Sequence, residues 1–175
     1  NNINPLYGFF VARAGLGASE SMRSKLAEYN DPRLSRAFIT KQGASGKEQA
    51  PGTADNAVYA PNGSPEQGTS KYGTSLFMYS ISAPTLLLSY HELKFLEAEA
   101  LCRLGRDAKS ALKDAVVAGL LNAENSFSVS RKELGKTLIN PASSITDTEA
   151  ESYFDNTIEA KYTAEPLKTT MIQKY

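Results

Sequence analysis

The single histidine of this chain, His91, is followed by Glu92, which opens the H-E-x-x-H pattern of zinc proteases. The pattern fails at its fifth position, where Phe95 stands. With one histidine, neither a histidine-based metal site nor a Ser-His-Asp triad can form within the chain, and His91 is expected on the surface of a first helical turn. Cys102 is also alone, which excludes an internal disulfide and a cysteine-based zinc site. It falls mid-helix among apolar residues, where a thiol is buried and inert. Glu97, Glu99, Arg103 and Arg106 could offer paired carboxylates for acid–base work. Glu99 and Arg103, however, stand at i and i+4, the spacing of an ion pair on a solvated helix face. Gly15-Leu16-Gly17 precedes a helix as a dinucleotide-binding turn would, but Glu20 occupies the third glycine position. That carboxylate would repel a pyrophosphate at the helix N-terminus, so a loop-to-helix turn is the better reading. No catalytic residue, metal or cofactor is expected.

The tyrosines carry more. Tyr59, Tyr72 and Tyr79 lie in or beside a Gly-rich stretch that also holds Asn62. Aromatic rings beside amides and hydroxyls suit a sugar, whose ring faces are apolar and whose hydroxyls need hydrogen bonds. Tyr59, Asn62, Tyr72 and Tyr79 are therefore the candidate ligand-binding residues. The competing reading is that these rings pin the loop onto neighbouring helices.

The elements that must position them are helical. The chain has 175 residues, enough for one domain with a real core, and equal numbers of acidic and basic residues. A net charge of zero gives no basic footprint for nucleic acid. Residues 1–38 read as an apolar, aromatic segment followed by a helix over 19–29, with Met22, Leu26 and Tyr29 on its inner face. This helix must stop before Asn30-Asp31-Pro32. Residues 39–88 form an excursion rich in glycine and proline, with Asn62-Gly63 as a turn signal.

Residues 89–121 predict a helical hairpin. Ser89 and Glu92 make the pattern of a capping box. Leu93, Leu96, Ala100, Leu101 and Leu104 form one apolar face, and Phe95, Ala98 and Cys102 form a second. Gly105 is placed for a left-handed cap. Ala108, Ala111, Ala115 and Gly119 would let the returning helix approach closely. Residues 122–145 read as polar and irregular. A further helical pair is expected over 146–175, capped by Thr146 and Glu149, with Pro166 opening its second member and Leu167, Met171 and Ile172 facing inward. No clean period near about 34 residues is visible.

The ordered set of these pieces resembles the SusD/RagB family of outer-membrane nutrient-binding lipoproteins, in its second SusD-like branch. The residues that carry the resemblance are Asn4-Pro5-Leu6-Tyr7, Asn30-Asp31-Pro32-Arg33-Leu34, Pro61-Asn62-Gly63, Ala83-Pro84, the run from Ser89-Tyr90-His91-Glu92 through Leu93-Lys94-Phe95-Leu96 to Glu97-Ala98-Glu99-Ala100, and Gln173-Lys174-Tyr175. Two departures stand out. The chain has no tryptophan, and it has Tyr90-His91-Glu92 where the family commonly has Tyr-Ala-Glu.

The resemblance implies an all-α fold of tetratricopeptide-like helical hairpins with long irregular loops, present as an internal fragment spanning residues 1–175 and truncated in its second helical pair. It implies no enzymatic activity. The expected function is cell-surface capture of oligosaccharide or peptide nutrients and their delivery to a TonB-dependent SusC-like transporter. The location would be the outer membrane, reached through a lipid anchor outside this segment. The alternative is a tetratricopeptide-like protein–protein adaptor with no small ligand.

Overall fold

The computed structural model describes residues 4–5, 7–8, 17–39, 59–63, 72–76, 81–82, 87–134 and 143–175. Among these the architecture is all-α, with one antiparallel pair of two-residue strands, β1 (Phe38–Ile39) and β2 (Thr74–Ser75). The helices are α1 (Glu20–Glu28), α2 (Tyr90–Arg103), α3 (Lys109–Leu134), α4 (Asp147–Tyr153), α5 (Glu159–Ala164) and α6 (Pro166–Lys174). The chain divides into two compact units, residues 1–85 with 124–144 and residues 86–123 with 145–175.

In the first unit, α1 starts at Ser19, whose hydroxyl accepts the Ser21 N–H. It ends on Asn30, which takes a left-handed φ of 49°. There Asp31 N–H bonds the Leu26 carbonyl at 2.8 Å and Asn30 N–H bonds that of Ala27 at 3.1 Å. This is a Schellman ending built on asparagine, the residue other than glycine that best tolerates this conformation. Leu26 and Tyr29 are buried as expected, whereas Met22 is 48% exposed and does not join the inner face. Beyond the helix, the buried Asp31 carboxylate holds Arg33 in a fork, with Oδ1 to Nε at 2.9 Å and Oδ2 to Nη2 at 2.6 Å. Arg36 then donates to the Ser143 carbonyl at 2.7 Å.

The helix expected to end at 121 continues to Leu134. The segment 122–134 looks polar because two serines share its inner face with Ala123 and Phe127. Ala123, Ser126, Phe127 and Ser130 are buried at helical spacing. Ser130, fully buried, donates to the Leu76 carbonyl, so its hydroxyl is satisfied without water. Glu133 receives the Ile81 N–H and the Ser82 hydroxyl, and buried Glu124 pairs with Arg131.

In the second unit, the capping box is complete: Ser89 Oγ accepts the Glu92 N–H, and the Glu92 carboxylate accepts the Ser89 N–H at 2.9 Å. At the other end Gly105 has φ +67°, with Arg106 N–H on the Leu101 carbonyl and Gly105 N–H on that of Cys102. Asp107 then caps α3 through the Lys109 N–H. Ala108, Ala111, Leu112, Ala115, Val116 and Leu120 are buried along α3. His91 is half-buried rather than on the surface, because its ring lies over Gly119, where a Cβ would be 3.8 Å away.

The inner face of α2 is Phe95 and Ala98, with half-buried Cys102 3.6 Å from Thr170 Oγ1. The face carrying Leu93, Leu96 and Leu104 is open instead. Periodicity marked both stripes as apolar, and the smaller one fits the close approach of α6. Between α4 and α5 the chain makes one π-helical turn (Phe154–Ile158), which keeps Phe154 and Ile158 wholly buried. Along α6, Leu167 is partly exposed, and the buried positions are Thr169 and Thr170. Thr170 can be buried because its hydroxyl donates to the Pro166 carbonyl at 2.9 Å.

Candidate functional site

The site is organised by the start of α1. Residues 17–20 run between two loop segments. The Ala18 N–H bonds the Gly73 carbonyl at 2.8 Å, the Ala60 N–H bonds the Ala18 carbonyl at 2.7 Å, and the Glu20 N–H bonds the Ala60 carbonyl at 2.9 Å. Ser19 and Ala60 thereby form a parallel bridge. One of the four N–H groups that any helix start leaves without a partner is thus satisfied by the loop itself.

Asn62 and Gly63 make the turn expected from their dipeptide, with Gly63 at φ +72°. The Asn62 amide clamps this turn to the helix. Its Nδ2 donates to Ser21 Oγ at 2.6 Å, and its Oδ1 accepts from Ser19 Oγ at 3.1 Å. Tyr59 is half-buried. Its ring meets Phe38 edge-on, centroids 5.4 Å apart, and the Arg23 guanidinium sits 5.9 Å from its centroid. Arg23 also faces Glu20 at 3.6 Å, both side chains well exposed.

Tyr59 and Asn62 therefore lie on one platform, with Ser19, Ser21 and Arg23 of the helix. Tyr72 belongs to its foundation. It is 6% exposed, and a Cβ on Gly17 would be 2.9 Å from its Cβ. Its ring is buried, the placement expected of a tyrosine that pins the loop. Tyr79 lies outside the described residues, as do positions 40–58 and 64–71 of the excursion and the Gly15-Leu16 pair.

Arg23 is the residue that sequence reasoning missed. It lies one turn beyond Ser19 on a helix read only for its apolar side, and nothing in the spacing places it beside a tyrosine far along the chain. The platform presents amide and hydroxyl groups, a cation and an aromatic surface, groups able to hydrogen-bond and stack. Among the described residues no cluster of His, Cys, Asp and Glu could hold a metal ion.

Among the described residues, ion pairing displaces several pKa values in the second unit. Glu99 is held below the usual carboxylate range by Lys174 at 2.7 Å and then by Arg103 at 2.7 Å. Lys113 is raised by Asp155, and Lys94 by Glu97 with a smaller share from Asp114. These pairs tie α2, α3, α6 and the π turn together on their solvent side.

The comparisons with known proteins fit this geometry. The family model for SusD-like proteins, described as starch-binding and associating with the outer membrane, matches residues 1–175. The chain belongs to the SusD-like family. A crystal structure of a SusD/RagB family protein from Bacteroides thetaiotaomicron VPI-5482 is 60% identical and superposes with a TM-score of 0.92. That alignment covers all of this chain and 37% of the other, so the SusD-like chain spans well under half of that relative. No curated protein matches it. The fold is thus the all-α SusD-like one expected, and the family is one of binding proteins associated with the outer membrane. Among the described residues no helix is long and apolar enough to cross a membrane.

Proposed function

We propose that this chain forms part of a cell-surface glycan-binding protein, and that the platform at the start of α1 contacts the sugar. The observation that carries this reading is the Asn62 clamp, which fixes a loop amide, two serine hydroxyls, Arg23 and the Tyr59 ring on one small surface. Sugar hydroxyls would bond the amide, the serines and the guanidinium, and Tyr59 would offer its aromatic surface. Tyr72 supports the platform from beneath. In the full-length protein, delivery would follow to a TonB-dependent SusC-like transporter, with a lipid anchor holding the protein at the outer membrane. A peptide ligand would use the same donors and acceptors.

The test is calorimetric titration of the full-length protein with malto-oligosaccharides, followed by a wider glycan and peptide panel. Tyr59→Ala and Asn62→Ala should each weaken binding by about 5- to 30-fold, the range expected for one aromatic contact or one hydrogen-bonded group. Unchanged affinity in both variants, with the fold intact, would remove the platform from the binding site.

A further inference from the structure

The chain holds one Asn-Gly pair, Asn62-Gly63, and the structure places it at an exposed turn. In such a pair the backbone nitrogen can attack the preceding side-chain amide, because glycine has no Cβ to shield its own nitrogen. The approach is open here. A Cβ at Gly63 would meet nothing within 4 Å, and Gly63 takes φ +72°, which glycine enters without strain. What opposes the reaction is the bonding of the Asn62 side chain. Its Nδ2 donates to Ser21 Oγ at 2.6 Å and its Oδ1 accepts from Ser19 Oγ at 3.1 Å, so both polar atoms are held against α1. Asn125, also followed by a small residue, makes a contrast. It lies inside α3, where the next nitrogen is engaged by the helix.

We propose that Asn62-Gly63 is a modification site, at which the folded protein deamidates spontaneously whenever Asn62 lets go of Ser21 and Ser19. The Gly63 nitrogen gives its proton to solvent base and attacks Asn62 Cγ. The new C–N bond closes a five-membered succinimide, and Nδ2 leaves as ammonia. Water then adds to one of the two ring carbonyls. Breaking the new C–N bond leaves aspartate, and breaking the original peptide bond leaves isoaspartate. One water enters and one ammonia leaves, with no change of oxidation state.

Conversion acts on the clamp itself. A carboxylate has no N–H to give Ser21, and isoaspartate also lengthens the main chain by one carbon at the turn. The loop bonded to residues 17–20 loses the amide tie that fixes it, so converted molecules open there more often. The reaction runs in one direction, which makes the turn a timer on the age of the folded protein. The proposal is independent of the glycan reading.

The experiment is incubation of the purified full-length protein in mildly alkaline, heavy-oxygen water, followed by peptide mass spectrometry that separates aspartate from isoaspartate. Asn62 should take up heavy oxygen ahead of Asn125. Ser21 is exposed, so Ser21→Ala should fold, and it should speed conversion by about 5-fold, the factor of one hydrogen bond. Lys25→Ala, on the same helix and away from the clamp, should convert at the parent rate. No label at Asn62 by the time a denatured sample is fully converted would overturn the proposal. A Ser21→Ala rate equal to the parent's would also overturn it, because release from the clamp would then not control the reaction. Hydrogen exchange gives a second readout. The Glu20 and Ala60 amides, which bond the Ala60 and Ala18 carbonyls, should exchange faster in converted molecules, and equal exchange would overturn the loosening of the loop.

Discussion

Tyr162→Phe isolates one buried hydrogen-bond pair that locks α5 to the α2–α3 turn. The Tyr162 hydroxyl accepts the Ala108 N–H at 2.8 Å and donates to Asp107 Oδ1 at 3.0 Å. The substitution keeps the ring and its packing and removes only the oxygen. Ala108 is 1% exposed, so its N–H has no water to turn to and is left without a partner. That costs about 1–3 kcal/mol. The Asp107 side is cheap by comparison, because this exposed carboxylate keeps the Lys109 N–H at 3.0 Å and can recruit water. The expected loss is about 2 kcal/mol in all, or about 4–8 °C in melting temperature for a chain of this size.

The loss should also depend on pH. Asp107 is held below its ordinary value of 3.8 by the Lys109 N–H first and the Tyr162 hydroxyl second. A depressed carboxylate contributes stability that is complete above the ordinary value and disappears as pH falls through the depressed one. The phenylalanine variant has less of it to lose, so the gap between the two melting curves should narrow slightly in acid, the Ala108 N–H cost remaining. Tyr162 is raised above its ordinary value of 10.0, mainly by burial. Its contribution is complete below pH 10.0 and is lost as pH rises through the raised value, so the gap should narrow in strong base as well. Thermal melts of both proteins from acid to base, followed by circular dichroism, give the comparison. A variant that melts within about 1 °C of the parent at pH 7 would refute the assignment of a buried, satisfied N–H at Ala108. A difference that stays constant across the whole pH range would refute the linkage.

Two further substitutions test the turns that hold the site and the hairpin. Gly105→Ala places a side chain at φ +67° with open space around it, so the cost is conformational, about 1 kcal/mol, and Gly105→Asn should recover part of it in a denaturant melt. Gly17→Ala meets Tyr72 Cβ at 2.9 Å and Ala60 Cβ at 3.7 Å, forcing the loop away from the start of α1. It should lower stability by about 1–2 kcal/mol and weaken glycan titration along with Asn62→Ala, whereas retained affinity would separate the loop's position from binding.

What was legible in the sequence was whatever local chemistry determines. Ser89 with Glu92, Thr146 ahead of α4, Gly105, Pro166 and Asn62-Gly63 all act within one turn of themselves, and each helix start or turn formed where they stand. What depends on a distant partner was not legible. Ser126 and Ser130 looked like loop residues because burying a serine needs an acceptor, and the acceptor for Ser130 is Leu76, far away in the chain. Likewise α2 offered two apolar stripes, and only the approach of α6, through Thr170 beside Cys102 and Lys174 on Glu99, decides which is inner.

The same distinction separates the loop tyrosines. Tyr59 and Tyr72 are one residue type in one glycine-rich stretch, and composition cannot tell a partly exposed ring from a buried one that holds the loop. The backbone of residues 17–20 makes the difference. By bonding Ala60 on one side and Gly73 on the other, it brings Tyr72 beneath Gly17 and leaves Tyr59 half-exposed beside Arg23. Without a side chain at Gly17 the loop can approach this closely, and the Asn62 amide then closes the contact over Ser19 and Ser21. Under the proposed glycan reading such a clamp favours binding, because a donor held in place before the ligand arrives loses less freedom on binding. The helix contributes its capping serines, whose hydroxyls serve the helix start and the loop at once. A change at Ser19 or Ser21 should therefore register in both stability and affinity, whereas one at Arg23, exposed and paired among the described residues with Glu20 and the Tyr59 ring, should register in affinity alone.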